Sequence, residues 1–173
     1  MFYVLVVELS FTLDAIGVES TGAIGAISAI GSLGTAVGAF SFGRLARLGP
    51  AVTVPAAFAL SGAGLLGLGF ADAVPAVVVA AVVTGLGNGL LLPSMLSWAL
   101  GSLTFEQRGR ATGVWTSALF VGQFVCPLAV LAVSGALGGP GAALALLGAV
   151  SVVAAVGVRL GRPAPMTAVA AAA

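Results

Sequence analysis

Six long runs of this sequence contain almost no charge, and that absence limits what the chain can fold into more than any other feature. A helix needs about 20 apolar residues to cross the roughly 30 Å hydrocarbon core of a bilayer. Of 173 residues, 60% are hydrophobic and 6% charged, whereas a water-soluble domain carries about a quarter charged residues. The polar surface that would cover a soluble fold is missing, so the chain reads as a membrane protein. None of the runs alternates like a barrel strand, and each therefore reads as a helix.

The spans fall at Met1–Gly17, Gly22–Phe42, Val52–Phe70, Val74–Gly101, Thr112–Val133 and Ala142–Val158. Turn residues and charge collect in the breaks, notably Gly43–Ala51, Ser102–Ala111 and Ser134–Gly141. Residues 1–162 form one six-span unit, and the Pro- and Ala-rich residues 163–173 read as a frayed, disordered tail. The first span is short and has no basic residue before it, which suggests that Met1 falls inside a longer ancestral helix. All six arginines lie in alternate breaks: Arg44 and Arg47, Arg108 and Arg110, then Arg159 and Arg162. The other breaks carry Glu19 and Asp72. The positive-inside rule then places both termini in the cytoplasm, in a multi-pass protein of the inner (plasma) membrane.

Several chemistries are excluded at once. With no His and no Lys, there is no His-based triad, no zinc helix and no Schiff-base lysine, so no cofactor or metal is expected. A net charge of +1 gives no electrostatic case for nucleic acid. Cys126 is alone and cannot form an internal disulfide. Gly62-Ala-Gly64-Leu-Leu-Gly67 matches the letters of a dinucleotide fingerprint, but neither the preceding strand nor the following acid is present. An enzyme is not indicated, and neither charge rings nor a filter-like loop suggest a channel.

What remains is a set of polar side chains inside apolar helices. Glu8 falls near the bilayer midplane, where an ionisable group faces a cavity or a partner; it is either a proton- or substrate-binding carboxylate or a structural hydrogen-bond partner. Asp14 lies closer to the outer end and reads as solvated. In the fourth span Thr84, Asn88 and Met95 share a helical face, and Pro93 frees the carbonyl of Gly89, so this helix is expected to bend or open. In the fifth span Pro127 does the same for Gln123. Asn88 and Gln123 fit either a binding site at broken helices or hydrogen-bonding glue between helices. Trp115 fits a pocket wall or an interfacial anchor. Gly34 and Gly38, and Gly85 and Gly89, are small-xxx-small pairs that let helices approach closely. Spans three and six contain only isolated hydroxyls, so the third member of each triplet is expected to face lipid. The fold class is thus an all-α bundle of six spans, arranged as two three-helix repeats.

Three stretches resemble a known family. They are Phe11-Thr-Leu-Asp-Ala-Ile-Gly-Val-Glu-Ser20, Phe42-Gly-Arg-Leu-Ala-Arg-Leu-Gly49, and Arg108-Gly-Arg-Ala-Thr-Gly-Val-Trp-Thr-Ser-Ala-Leu-Phe-Val-Gly-Gln-Phe-Val-Cys-Pro127. From Phe2 to about Arg162 the chain resembles the carboxy-terminal half, spans seven to twelve, of a bacterial major facilitator superfamily transporter of the efflux type. In the first inner loop Gly43, Arg44, Arg47 and Gly49 follow the family's loop motif with shortened spacing, and Ala46 stands where that motif has an aspartate. Arg108, Gly109 and Arg110 form the second loop motif. The resemblance implies that spans one and four line a central cavity, two and five flank it, and three and six face lipid. It implies transport of a small organic solute (drug, sugar or metabolite) by alternating access. Proton coupling through antiport, with Glu8 as the sensing group, and a second six-span half or a second copy as partner complete the expectation. The alternative is a split product, inactive or only structural without that second half.

Overall fold

Caps, and not the points where hydrophobicity fades, set the helix ends. The computed structural model describes residues 9–14, 16–18, 20–101 and 103–161. Among them, residues 9–14 form α1, followed by α2 (Thr21–Leu45), a 3-10 turn (Ala46–Leu48), α3 (Pro50–Gly69), α4 (Val74–Leu100), α5 (Phe105–Leu137) and α6 (Pro140–Gly161). No strand occurs among the described residues. Five helices, α2 to α6, are long and apolar enough to cross a membrane. Met1–Glu8, Glu19, Arg162 and the tail lie outside the described residues, as does the sequence assignment of Glu8 to the midplane.

Two expected breaks are shorter than the sequence suggested. Thr104 and Gln107 make a capping box in which the Thr104 N–H donates to Gln107 Oε1 at 3.3 Å, so α5 starts seven residues before Thr112. Its 33 residues reach about 50 Å, well beyond the hydrocarbon thickness. Arg108, Gly109 and Arg110 therefore stand on the first turns of a helix and not in a loop. At the other end Gly138 takes the left-handed conformation (φ 85°), and both its N–H and that of Gly139 donate to the Ser134 carbonyl. The remaining motif residues divide between helix and turn. Gly43 and Arg44 end α2, Arg47 lies in the 3-10 turn, and Gly49 (φ 76°) redirects the chain into α3, which opens on Pro50. Pro55, Pro93 and Pro127 all lie inside helices that continue past them.

Packing is organised around α4, which lies against both α2 and α3; α3 in turn packs on α6, while α5 touches its neighbours sparsely. Small residues explain these pairings. A Cβ on Gly34 would stand 2.8 Å from the Val82 carbonyl oxygen, and one on Gly38 would collide with the Leu86 carbonyl. From the other side, Gly85 and Gly89 lie on the carbonyls of Gly31 and Thr35. The two small-residue pairs of the sequence are thus the two halves of one α2–α4 interface. Gly62-Ala-Gly64-Leu-Leu-Gly67 is likewise a packing strip: Gly62 meets α6 at the Gly148 carbonyl, and Gly64 meets α4 at Thr84. Span three is accordingly no simple lipid-facing helix. Half of its most apolar stretch is buried inside the chain, whereas Val130 is the buried residue of α5.

The arginines gather at one end. Arg159 Nη1 donates to the Ala51 carbonyl at 3.2 Å, joining the end of α6 to the start of α3. A small cavity of about 160 Å³ there is walled by Ala46 and Gly49 from the turn and by Ser94 and Trp98 from α4. The opposite end holds the apolar core: Leu9, Leu13, Leu65, Leu68, Val77, Ala81, Ala143 and Leu144 are all buried in one cluster. The bundle is therefore sealed away from the arginines.

Replacing Gly38 by Val should lower the thermal midpoint of the purified protein sharply, since overpacking against a fixed carbonyl costs about 1–3 kcal/mol. Gly25→Ala, where a Cβ meets open space, should leave the midpoint unchanged or slightly raised. Equal midpoints for the two variants would show that the α2–α4 contact is not backbone to backbone.

Candidate functional site

Asn88 sits on the most constrained segment of the protein. Its neighbours Gly87 and Gly89 press on the Ser61 backbone of α3 and the Thr35 carbonyl of α2, so the α4 backbone here is held from two sides. The side chain is 2% exposed. Ser61 Oγ, itself fully buried, donates to Asn88 Oδ1 at 3.2 Å. Asn88 Nδ2 is buried and has no hydrogen-bond partner among the described residues. An amide N–H pair left in this state costs about 1–3 kcal/mol, so the site has an unmet demand for an acceptor.

The amide lines a cavity of about 500 Å³ between α4 and α5, capped from α3 by Phe58. The α4 wall is Asn88, Leu91, Leu92 and Met95; the α5 wall is Trp115, Ala118, Leu119, Gly122, Gln123 and Cys126. This volume lies within the roughly 300–1,000 Å³ of sites that take small organic molecules. The lining is mostly apolar, and the polar atoms are an amide from each helix, the indole of Trp115 and the Cys126 thiol. Among the described residues no charged side chain contributes to it. Such a wall can hold and orient a neutral molecule by hydrogen bonds. Among the residues that line it there is no pair that could serve as acid and base, or as nucleophile and base.

Three residues singled out by the sequence, Asn88, Trp115 and Gln123, thus meet in one cavity, with Met95 beside them. Thr84 does not join them. Its hydroxyl donates to the Ala80 carbonyl at 2.8 Å, and its side chain packs on Gly64 of α3. Pro93 and Pro127 flank the site in sequence, and Gln123, whose carbonyl loses its i+4 donor to Pro127, is a lining residue. Glu8 lies outside the described residues, and Asp14 is exposed. Gly43, Arg44, Arg47, Gly49, Arg108 and Gly109 do not line this cavity. Arg110, with Gln107 and Leu103, borders a second cavity of about 540 Å³ toward the arginine end. Trp115 lines both, so its indole stands where one cavity gives way to the other.

Ser61, Phe58 and Cys126 were not among the sequence candidates. Ser61 looked like an isolated hydroxyl, and only the crossing of α3 over α4 brings it to Asn88. Cys126 offers a direct probe of the cavity because it is the chain's one thiol and is half-buried. A small neutral thiosulfonate should label it, and Ala118→Trp, which fills the cavity from an exposed α5 position, should slow labelling at least about tenfold. Equal rates would mean that Cys126 is reached from lipid and not through the cavity.

The model of the Major Facilitator Superfamily matches residues 1–172. No curated protein and no solved structure matches the chain. A match over nearly the whole sequence, together with five membrane-compatible helices, places this chain in the Major Facilitator Superfamily of membrane transporters.

Proposed function

We propose that this chain is a carboxy-terminal six-span half of a bacterial secondary transporter that exports a small neutral organic solute, coupled to protons by antiport. The observation that carries the reading is Asn88, which lines the cavity between α4 and α5 and whose buried amide nitrogen has no hydrogen-bond partner among the described residues. A solute with a carbonyl, ether or hydroxyl oxygen satisfies that donor, and the apolar walls accept the rest of it. Gln123 supplies a second amide, which can donate or accept, and Trp115 lends an aromatic face. Glu8 is assigned the proton-linked role, since a carboxylate at membrane depth is tolerated where it functions.

The site is walled on one side by α5, which is exposed along almost its whole length. That exposure supports a partner, either a second six-span half or a second copy of the chain, that would close the cavity. The two units would rock about the shared site. By the positive-inside rule the arginine end is cytoplasmic, with both termini on that side, in the plasma membrane. Arg44 of α2, Arg47 of the 3-10 turn, and Arg108 and Arg110 of α5 would then meet lipid phosphates or acids of the partner at that surface.

Transport should be measured in proteoliposomes containing the chain alone, or with a candidate second half, across a panel of neutral oxygen-bearing solutes. Asn88→Leu keeps the volume and removes the donor, and should lower the initial rate at least about tenfold for a solute that the parent moves. Glu8→Gln should flatten the dependence of rate on pH while leaving exchange of solute across the membrane intact. Unchanged rates in Asn88→Leu would remove the cavity as the binding site, and an unchanged pH profile in Glu8→Gln would make that carboxylate structural.

A further inference from the structure

A groove of about 390 Å³ runs between α3 and α6, and it ends at Arg159. Its shape follows from where glycine allows the two helices to touch. Toward the sealed end they meet backbone to backbone: a Cβ on Gly62 would stand 2.8 Å from the Gly148 carbonyl oxygen, and one on Gly69 would stand 2.7 Å from that of Gly141. Toward the arginine end the lining is side chain and not backbone, and beside Val152, Val156 and Leu160 the short Ala56, Ala59 and Ala155 leave the groove open. From Ala51 to Ala59 the groove descends about 12 Å, within the depth of one leaflet of a 30 Å hydrocarbon core.

The cation at its mouth is held in place by a proline. Pro55 has no N–H, so the Ala51 carbonyl four residues earlier loses its helical donor. Arg159 Nη1 supplies the missing hydrogen bond at 3.2 Å. A guanidinium carries five N–H donors in a rigid fork, and the carbonyl takes one. The side chain is exposed, so the fork is fixed at the end of an apolar groove and open to a ligand. Phosphate oxygens match that fork.

We propose that this groove binds an anionic phospholipid, with an acyl chain lying along Ala56, Ala59 and Ala155 and the headgroup phosphate on Arg159. A zwitterionic lipid offers the same chain and phosphate, but its ammonium opposes the guanidinium, so the site prefers a net negative headgroup. The proposal does not depend on the solute cavity, which shares no lining residue with the groove.

The test uses the full chain in nanodiscs of mixed phosphatidylglycerol and phosphatidylcholine, with the lipids that remain bound counted by native mass spectrometry. The parent should retain phosphatidylglycerol in preference to phosphatidylcholine. R159Q should reduce that preference about fivefold, the effect of one interfacial cation. A56F fills the groove from an exposed position and should reduce retention of both lipids with the helical circular dichroism unchanged. An unchanged preference in R159Q, or unchanged retention in A56F, overturns the proposal. Should R159Q not fold, glycerol phosphate added to the parent decides the matter. Failure to displace the lipid at millimolar concentration supports a chain-anchored site, and displacement overturns it.

Discussion

The backbone of α4 touches its neighbours directly, and the rest of the bundle is arranged by that contact. Inside a bilayer there is no hydrophobic gain from bringing two apolar helices together, because lipid tails are as apolar as Leu. Association has to come from close van der Waals contact and from hydrogen bonds across the interface. Glycine makes both possible here. Gly31, Gly34 and Gly38 on α2 face Gly85 and Gly89 on α4, and Ser61 and Gly64 on α3 face Gly87 and Thr84. The stretch from Thr84 to Gly89 is thereby clamped from two directions. Asn88 lies within the clamp, which is why its amide can be held buried and incompletely bonded.

Where such contacts are missing, the bundle opens. The apolar core draws buried residues from all six helices at the end away from the arginines, with Val130 the contribution of α5. The groove beside Arg159, the small cavity under the α2–α3 turn and the cavity bordered by Arg110 all lie toward the other end. None of the glycines at positions 109, 113, 122 and 135 in α5 approaches another helix within 4 Å of a built Cβ, so this helix lacks the device that binds α2 and α3 to α4. The site between α4 and α5 therefore joins one rigid wall to one loosely held wall. A wall of that kind can shift without disturbing the packed core, and the cavity's volume depends on it.

Much of this was written in the apolar pattern. Five of the six spans, their helix type and the two glycine pairs follow from composition and spacing, because each depends on local sequence or on a period of the helix. Asn88, Trp115, Gln123 and Met95 were legible as rare polar or polarisable groups in apolar runs. What stayed hidden depends on crossings. Ser61 becomes a clamp only because Gly87 admits α3 to within reach of α4. The half of α3 that is buried was not legible, because hydroxyls and glycines score as weakly polar or neutral, while in lipid they mark tight interfaces. The start of α5 was placed too late because hydropathy falls at Thr104–Arg110, although the capping box there begins the helix.

The three prolines inside helices show how one sequence signal can have different outcomes. Each removes a backbone donor, and in lipid an unmet carbonyl costs several kcal/mol, so something must compensate or the helix must open. None of the three helices ends at its proline. At Pro55 the compensation is visible: the Arg159 guanidinium takes the Ala51 carbonyl. At Pro93 and Pro127 the affected carbonyls belong to Gly89 and Gln123, the first beside Asn88 in sequence and the second on a residue that lines the cavity. The same deletion thus anchors a cation at the membrane surface and, at the depth of the cavity, adds acceptors close to an amide donor. A solute that both donates and accepts hydrogen bonds meets the demands of that region better than one that only accepts, and a purely apolar molecule leaves all of them unmet.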